Sequence, residues 1–92
     1  MYVCDWSITS ALVDEFAERL PGPHDTWRVS WLPGRLLSKA EAMAAIELVE
    51  LLYDPTYPND ADTQATIAES AARLGIRPID AAVTLSERHP HP

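Results

Sequence analysis

Ninety-two residues, 47% of them apolar and carrying a net charge of −7, suffice for one globular domain with a modest core and are too apolar for a disordered chain. Cys4 is the only cysteine, which excludes an internal disulfide and a zinc site built from thiolates alone. The opening run MYVCDWSITS has no basic segment followed by an apolar one, and no apolar stretch approaches the ~20 residues of a membrane span. Neither a signal peptide nor a membrane is therefore expected, and the expected compartment is the cytoplasm.

The charge is unevenly placed. From Ala40 to Ala72 the chain carries Glu41, Glu47, Glu50, Asp54, Asp60, Asp62 and Glu69 and no lysine or arginine. Such a surface repels polyanions and suits basic partners, or simply keeps the protein soluble.

In chain order, Ser7 to Leu20 reads as a first helix. Ile8, Leu12, Phe16 and Leu20 recur every fourth residue, and Val13 and Ala17 widen the stripe. Pro21-Gly22-Pro23 stops it. Thr26 to Leu32 reads as a strand, with Trp27, Val29 and Trp31 alternating with Arg28 and Ser30. Pro33-Gly34 suits a type II turn, after which Arg35 to Leu37 returns as a short second strand. Tyr2 to Cys4 offers a further short strand. A lone hairpin is marginal in water, so its tryptophan face is expected to lie on helices.

Ser38 to Tyr53 is a second helix. Ser38-Lys39-Ala40-Glu41 is a capping box, in which the Ser38 hydroxyl and the Glu41 carboxylate each bond the other's backbone amide. Apolar residues from Ala40 to Tyr53 cover about two-thirds of its circumference, so the helix should be central, with Lys39, Met43, Glu47 and Glu50 toward solvent. After the loop DPTYPND, Asn59 or Asp60 caps a third helix that ends at Gly75. Its inward face is expected to be Ala61, Ala65, Ala68 and Ala72, with Ile67, Ala71 and Leu74 beside them. Pro78 opens a fourth helix, where a first-turn proline loses no intrahelical bond. Ile79, Ala82 and Val83 are expected inward, with Ala81 and Leu85 at the flank. The domain spans residues 1–88, and residues 89–92 form a frayed tail.

Thr66 to Leu85 resembles a helix-turn-helix. Ala71 stands four before Gly75, and Leu74 and Ile76 flank the glycine. Ser70 and Thr84 depart from the pattern, standing where apolar residues are usual. The resemblance implies a reading helix with Arg77, Thr84 and Arg88 as DNA contacts. Asp80 and Glu87 share that face, and a carboxylate ~4 Å from a phosphate costs about 1 kcal/mol in bulk water and ~4 kcal/mol at an effective dielectric of 20. Two acids then offset two arginines, so scaffold or protein binding is the preferred use of the motif.

Trp27 and Trp31 share the parity that points side chains to one face of a strand, and serve either as core or as aromatic anchors for a partner. Asp54, Asp60 and Asp62 lack the order of a calcium loop, and Asp60 and Asp62 suit the positive end of a helix instead. His24-Asp25, His89 with His91, and Cys4 have no third ligand, base or cleft readable beside them. Pro33-Gly34-Arg35 lacks the glycines of a phosphate cradle.

Thr26 to Glu50, and within it VSWLPGR, resembles a segment of small proteins of unassigned activity from GC-rich actinobacteria and their mobile elements. The resemblance implies a bacterial or phage origin and carries over no functional residue.

These readings combine into an α+β, mostly helical domain of about four helices with one short β-hairpin packed on them. The alternative is an all-α domain with a helix-turn-helix-like C-terminal half. The expected function is that of a small non-enzymatic binding or regulatory protein without cofactor or metal. It would engage a protein partner, or a second copy of itself, through acidic helical surfaces, with Glu47, Glu50, Asp62, Glu69, Trp27 and Trp31 as candidate contacts. The alternatives are a helix-turn-helix DNA-binding regulator, and a DNA mimic that inhibits a nucleic-acid enzyme.

Overall fold

The computed structural model describes residues 1–53 and 61–88. Four strands, β1 (Tyr2–Val3), β2 (Ser7–Thr9), β3 (Phe16–Arg19) and β4 (Trp27–Val29), form an antiparallel meander in the order β1-β2-β3-β4. Three helices follow: α1 (Lys39–Tyr53), α2 (Ala61–Leu74) and α3 (Pro78–Arg88). The class is α+β as expected, but with three helices and a four-stranded sheet in place of four helices and a hairpin.

The largest departure is at the expected first helix. Ser7 to Leu20 forms β2, a loop and β3. The strand Trp27–Val29 needs a hydrogen-bonding neighbour on each side. On one side, Leu37 exchanges both backbone bonds with Trp27, at 2.8 and 2.9 Å, which is all that the expected return strand supplies. The other side pairs with β3, in the register Ala17↔Val29, Glu18↔Arg28 and Arg19↔Trp27. A spacing of four fits a strand as well as a helix, because four is a multiple of two. Ile8 and Ala17, directly opposed in β2 and β3, are fully buried on the inner face, whereas Leu12 and Phe16 are exposed. The β-branched Ile8 and Thr9 also favour the extended form.

The inner sheet face carries Ile8, Ala17, Trp27 and Val29 and lies against α1. On its other side α1 packs on α2, so it is buried from both directions through Ala42, Ala44, Ala45, Ile46, Leu48 and Val49. This central position matches the breadth of its apolar surface. The capping box forms as read: Glu41 N–H donates to Ser38 Oγ at 3.1 Å, and Ser38 N–H to the Glu41 carboxylate at 3.0 Å. Those bonds hold the Glu41 carboxyl below the usual carboxylate range, the Ser38 amide first and its hydroxyl second. Gly34 has φ +81, and Arg35 N–H donates to the Leu32 carbonyl at 3.3 Å, as a type II turn requires.

α2 ends in a Schellman motif. Gly75 has φ +69, Gly75 N–H bonds the Ala72 carbonyl at 3.0 Å, and Ile76 N–H bonds the Ala71 carbonyl at 3.1 Å. The buried face of α2 is Ile67, Ser70, Ala71 and Leu74. Ala61, Ala65, Ala68 and Ala72, expected inside, are exposed, because the larger Ile67 and Leu74 return more free energy on burial and set the rotation of the helix. On α3 the inward residues are Ala81 and Leu85, while Ile79 and Val83 are 62% and 51% exposed, reversing the expected phase. The expected caps Asn59 and Asp60, Asp54, and His89 with His91 lie outside the described residues.

Candidate functional site

All seven lysine and arginine side chains fall among the described residues, and each is engaged within the chain. Arg19 lies 3.6 Å from Asp25. Arg28 Nε donates to Glu18 across the β3–β4 ladder at 2.6 Å. Arg35 reaches the C-terminal end of α2 and donates to the Leu74 carbonyl at 2.7 Å, where the helix dipole is negative. Lys39 sits 6.0 Å from the centre of the Trp27 ring. Arg73 pairs with Glu69 at 2.9 Å, four residues back on α2. Arg77 forks onto Asp80 with bonds of 2.9 and 3.2 Å, and these bonds hold its pKa above the ordinary value.

Arg88 makes the most enclosed of these contacts. From the last turn of α3 it donates to both oxygens of Glu15, at 2.7 and 2.8 Å, and this hydrogen bonding raises its pKa. Glu15 is only 3% exposed. It also accepts the Ser30 hydroxyl at 2.8 Å, and Ser30 in turn accepts the Phe16 amide at 2.8 Å. Tyr53, at the end of α1, donates its hydroxyl to the Leu85 carbonyl. Burial, and then the nearby Glu15 charge, push its phenol above the usual range. This cluster ties α3 to the sheet and to α1. Nothing local announces it, since Glu15 and Arg88 stand 73 residues apart and Arg88 reads as a surface cation in a linear view.

The residues expected to contact DNA do not form a cationic face. Arg77 and Arg88 are spent on Asp80 and Glu15, and Thr84 is half-buried. Arg28, Arg35 and Arg73 likewise turn to separate partners rather than into one groove.

The candidate protein contacts divide. Trp27 and Trp31 are buried in the core, so neither is available as an anchor. Their indole N–H groups are satisfied internally, by Asp25 at 2.7 Å and by the Ala45 carbonyl at 3.3 Å. Trp27 faces the helix layer from β4, and Trp31 is enclosed from the turn that follows it, so both serve as core. Asp62 and Glu69 are exposed on α2. Glu47 and Glu50 are half-buried along α1, and Glu50 accepts the Ser10 hydroxyl at 2.9 Å.

Several large apolar side chains stand exposed, among them Leu12, Phe16, Ile79 and Val83, which were expected on inward helix faces. Met1, Tyr2, Val3, Trp6, Leu12 and Phe16 come from the first sixteen residues, and Leu36, Ile79 and Val83 from later ones. On the outer sheet face a depression of about 270 Å³ is lined by Phe16, Arg28, Val29, Ser30, Pro33 and Gly34. It is mainly apolar, and its one charged group is already paired with Glu18. Cys4 is exposed in the β1–β2 turn. Among the described residues there is no group of three potential metal ligands and no helix long and apolar enough to cross a membrane. Compared with protein-family models, with curated proteins and with solved structures, the chain matches none.

Proposed function

We propose that this is a small non-enzymatic binding or regulatory protein whose partner is another protein, engaged through acidic and apolar surface. One observation carries the reading: every lysine and arginine is committed to an acceptor or an aromatic ring of its own chain, while Asp5, Asp14, Asp62 and Glu87 stay exposed on the surface. Phosphate binding draws its affinity from free cations that displace counterions. Here each arginine would have to abandon an internal partner first. Exposed apolar side chains among acids suit a protein surface instead.

The helix-turn-helix reading is less favoured because the outward face of α3 presents Ile79 and Val83 beside Asp80 and Glu87. Base edges are read by polar side chains carried on a cationic platform. Titration of labelled duplex at low and moderate salt tests the choice. Absence of binding at low salt is expected, and micromolar binding with a steep salt slope overturns the proposal. Capture from nuclease-treated host lysate should recover a stoichiometric protein, and sedimentation of the purified chain distinguishes that partner from a second copy.

A further inference from the structure

We propose that β1 is a docking edge for an extended, cationic segment of a protein partner, which adds to the sheet as a fifth strand. This rests on the protein-binding reading above and names the surface and the chemistry of the segment. The two sheet edges differ. The outer edge of β4 is occupied by Leu37, which exchanges both its backbone bonds with Trp27. At β1 the Cys4 amide donates inward to the Ser7 carbonyl at 2.7 Å. Hydrogen-bonding residues alternate along an antiparallel strand, so the N–H and C=O of Val3 turn away from β2 and toward the open side. Among the described residues only β2 pairs with β1, and an edge of this kind is a template for strand addition.

The side chains around that edge state what it takes. Tyr2 is 63% and Trp6 68% exposed, and Met1 and Val3 are also exposed, so apolar residues of an incoming strand find cover. The side chains there are acidic or neutral, and the one cation, the amino-terminal ammonium, is already taken up by Glu50. Residues 1–18 contain no lysine or arginine, and Asp5 stands exposed at the turn end of β1. Glu50 stands at the other end, bonded to Ser10 at 2.9 Å and 3.3 Å from the amino-terminal nitrogen, with Glu47 one turn earlier on α1. A lysine or arginine of the added strand meets the exposed Asp5 carboxylate, whereas Glu50 is already engaged by Ser10 and the amino terminus. A second copy of this chain is the poorer occupant: it carries the same net charge of −7 and offers a strand of only two residues.

The test uses the full chain, isotope-labelled, with capped peptides of alternating lysine and valine and of alternating glutamate and valine. The lysine peptide is expected to shift the amides of residues 1–5 most and to slow exchange at the Val3 amide, and the glutamate peptide to do neither. Val3→Pro removes the outward N–H without touching the β1–β2 bonds and should weaken binding by about tenfold. Asp5→Asn, at an exposed position, should weaken it about threefold and flatten its salt dependence. Equal binding of the glutamate peptide, full affinity in Val3→Pro, shifts confined to α2 and α3, or no binding at all overturns the docking edge. Of these, shifts confined to the helices would leave the protein-binding reading standing, whereas duplex binding would remove that reading itself.

Discussion

α1 and α3, the first and last helices of the domain, are held in opposite ways. α1 is pressed between the sheet and α2, with six buried residues around most of its circumference. Its stability comes from area removed from water, with Lys39, Glu47 and Glu50 kept on the remaining, half-buried strip. α3 buries only Ala81 and Leu85 and leaves Ile79 and Val83 outside. What fixes it is directional: the Arg88 fork onto buried Glu15, and the Tyr53 hydroxyl on the Leu85 carbonyl. At 100° per residue Arg88 lies on the same side as Ala81 and Leu85. Turning Ile79 and Val83 inward would swing the guanidinium away from Glu15. A polar anchor, rather than the larger apolar side chains, therefore sets the phase of this helix.

Removing core volume under α1 should have the largest effect. Trp27→Ala is expected to lower stability by about 4 kcal/mol, read by chemical denaturation, with α1 and the sheet losing exchange protection together. A loss below about 1 kcal/mol would mean that the sheet–α1 layer is not the principal core. Next comes the anchor of α3. Arg88→Met leaves the buried Glu15 carboxylate without its guanidinium. Breaking a fully buried pair costs about 3–5 kcal/mol, and the partial exposure of Arg88 reduces this to about 2 kcal/mol. Amide exchange should quicken in α3 first and leave α1 slow. Equal quickening in both would dissolve the contrast between them.

The α1 cap gives a smaller and pH-dependent effect. Ser38→Ala should cost about 1 kcal/mol near neutral pH. Because the folded-state pKa of Glu41 lies below its ordinary value, its contribution is complete above the ordinary carboxylate range and is lost as pH falls through the depressed pKa. Stability curves of the parent and Ser38→Ala should therefore converge on acidification; parallel curves would detach Glu41 from the cap. The smallest effect is expected outside α3. Ile79→Ser with Val83→Ser should change stability by no more than about 0.5 kcal/mol, although the same exchange at Ala81 and Leu85 would not be tolerated. A loss of 2 kcal/mol or more would show that the Ile79 face is covered in solution.

How much of this was legible varied with the range of the interactions. The capping box at Ser38–Glu41, the turn at Pro33-Gly34, the glycine stop at Gly75 and the proline start at Pro78 are each decided within a few residues, and each forms as read. The Ser7–Leu20 segment was misread because its spacing of four satisfies two periodicities, and the deciding hydrogen bonds come from Trp27–Val29. The alanine stripe of α2 and the face of α3 were misplaced because pattern alone weighs apolar residues without knowing which neighbour is there to receive them. Of the candidate contacts, Asp62 and Glu69 lie exposed, whereas Trp27 and Trp31 are enclosed by the α1 layer. The open edge at β1 was not readable at all, since an edge exists only once the other strands have found their places.

By itself the sequence determined the local signals and the excess of acid, because caps, turns and net charge depend on residue identity at short separation. Tertiary structure alone decided the sheet order, the rotation of α2 and α3, and the fate of each arginine. The physical reason is that pairing a strand, or drawing Arg88 onto Glu15 across 73 residues, depends on which distant group reaches a given place, and no local preference encodes that choice.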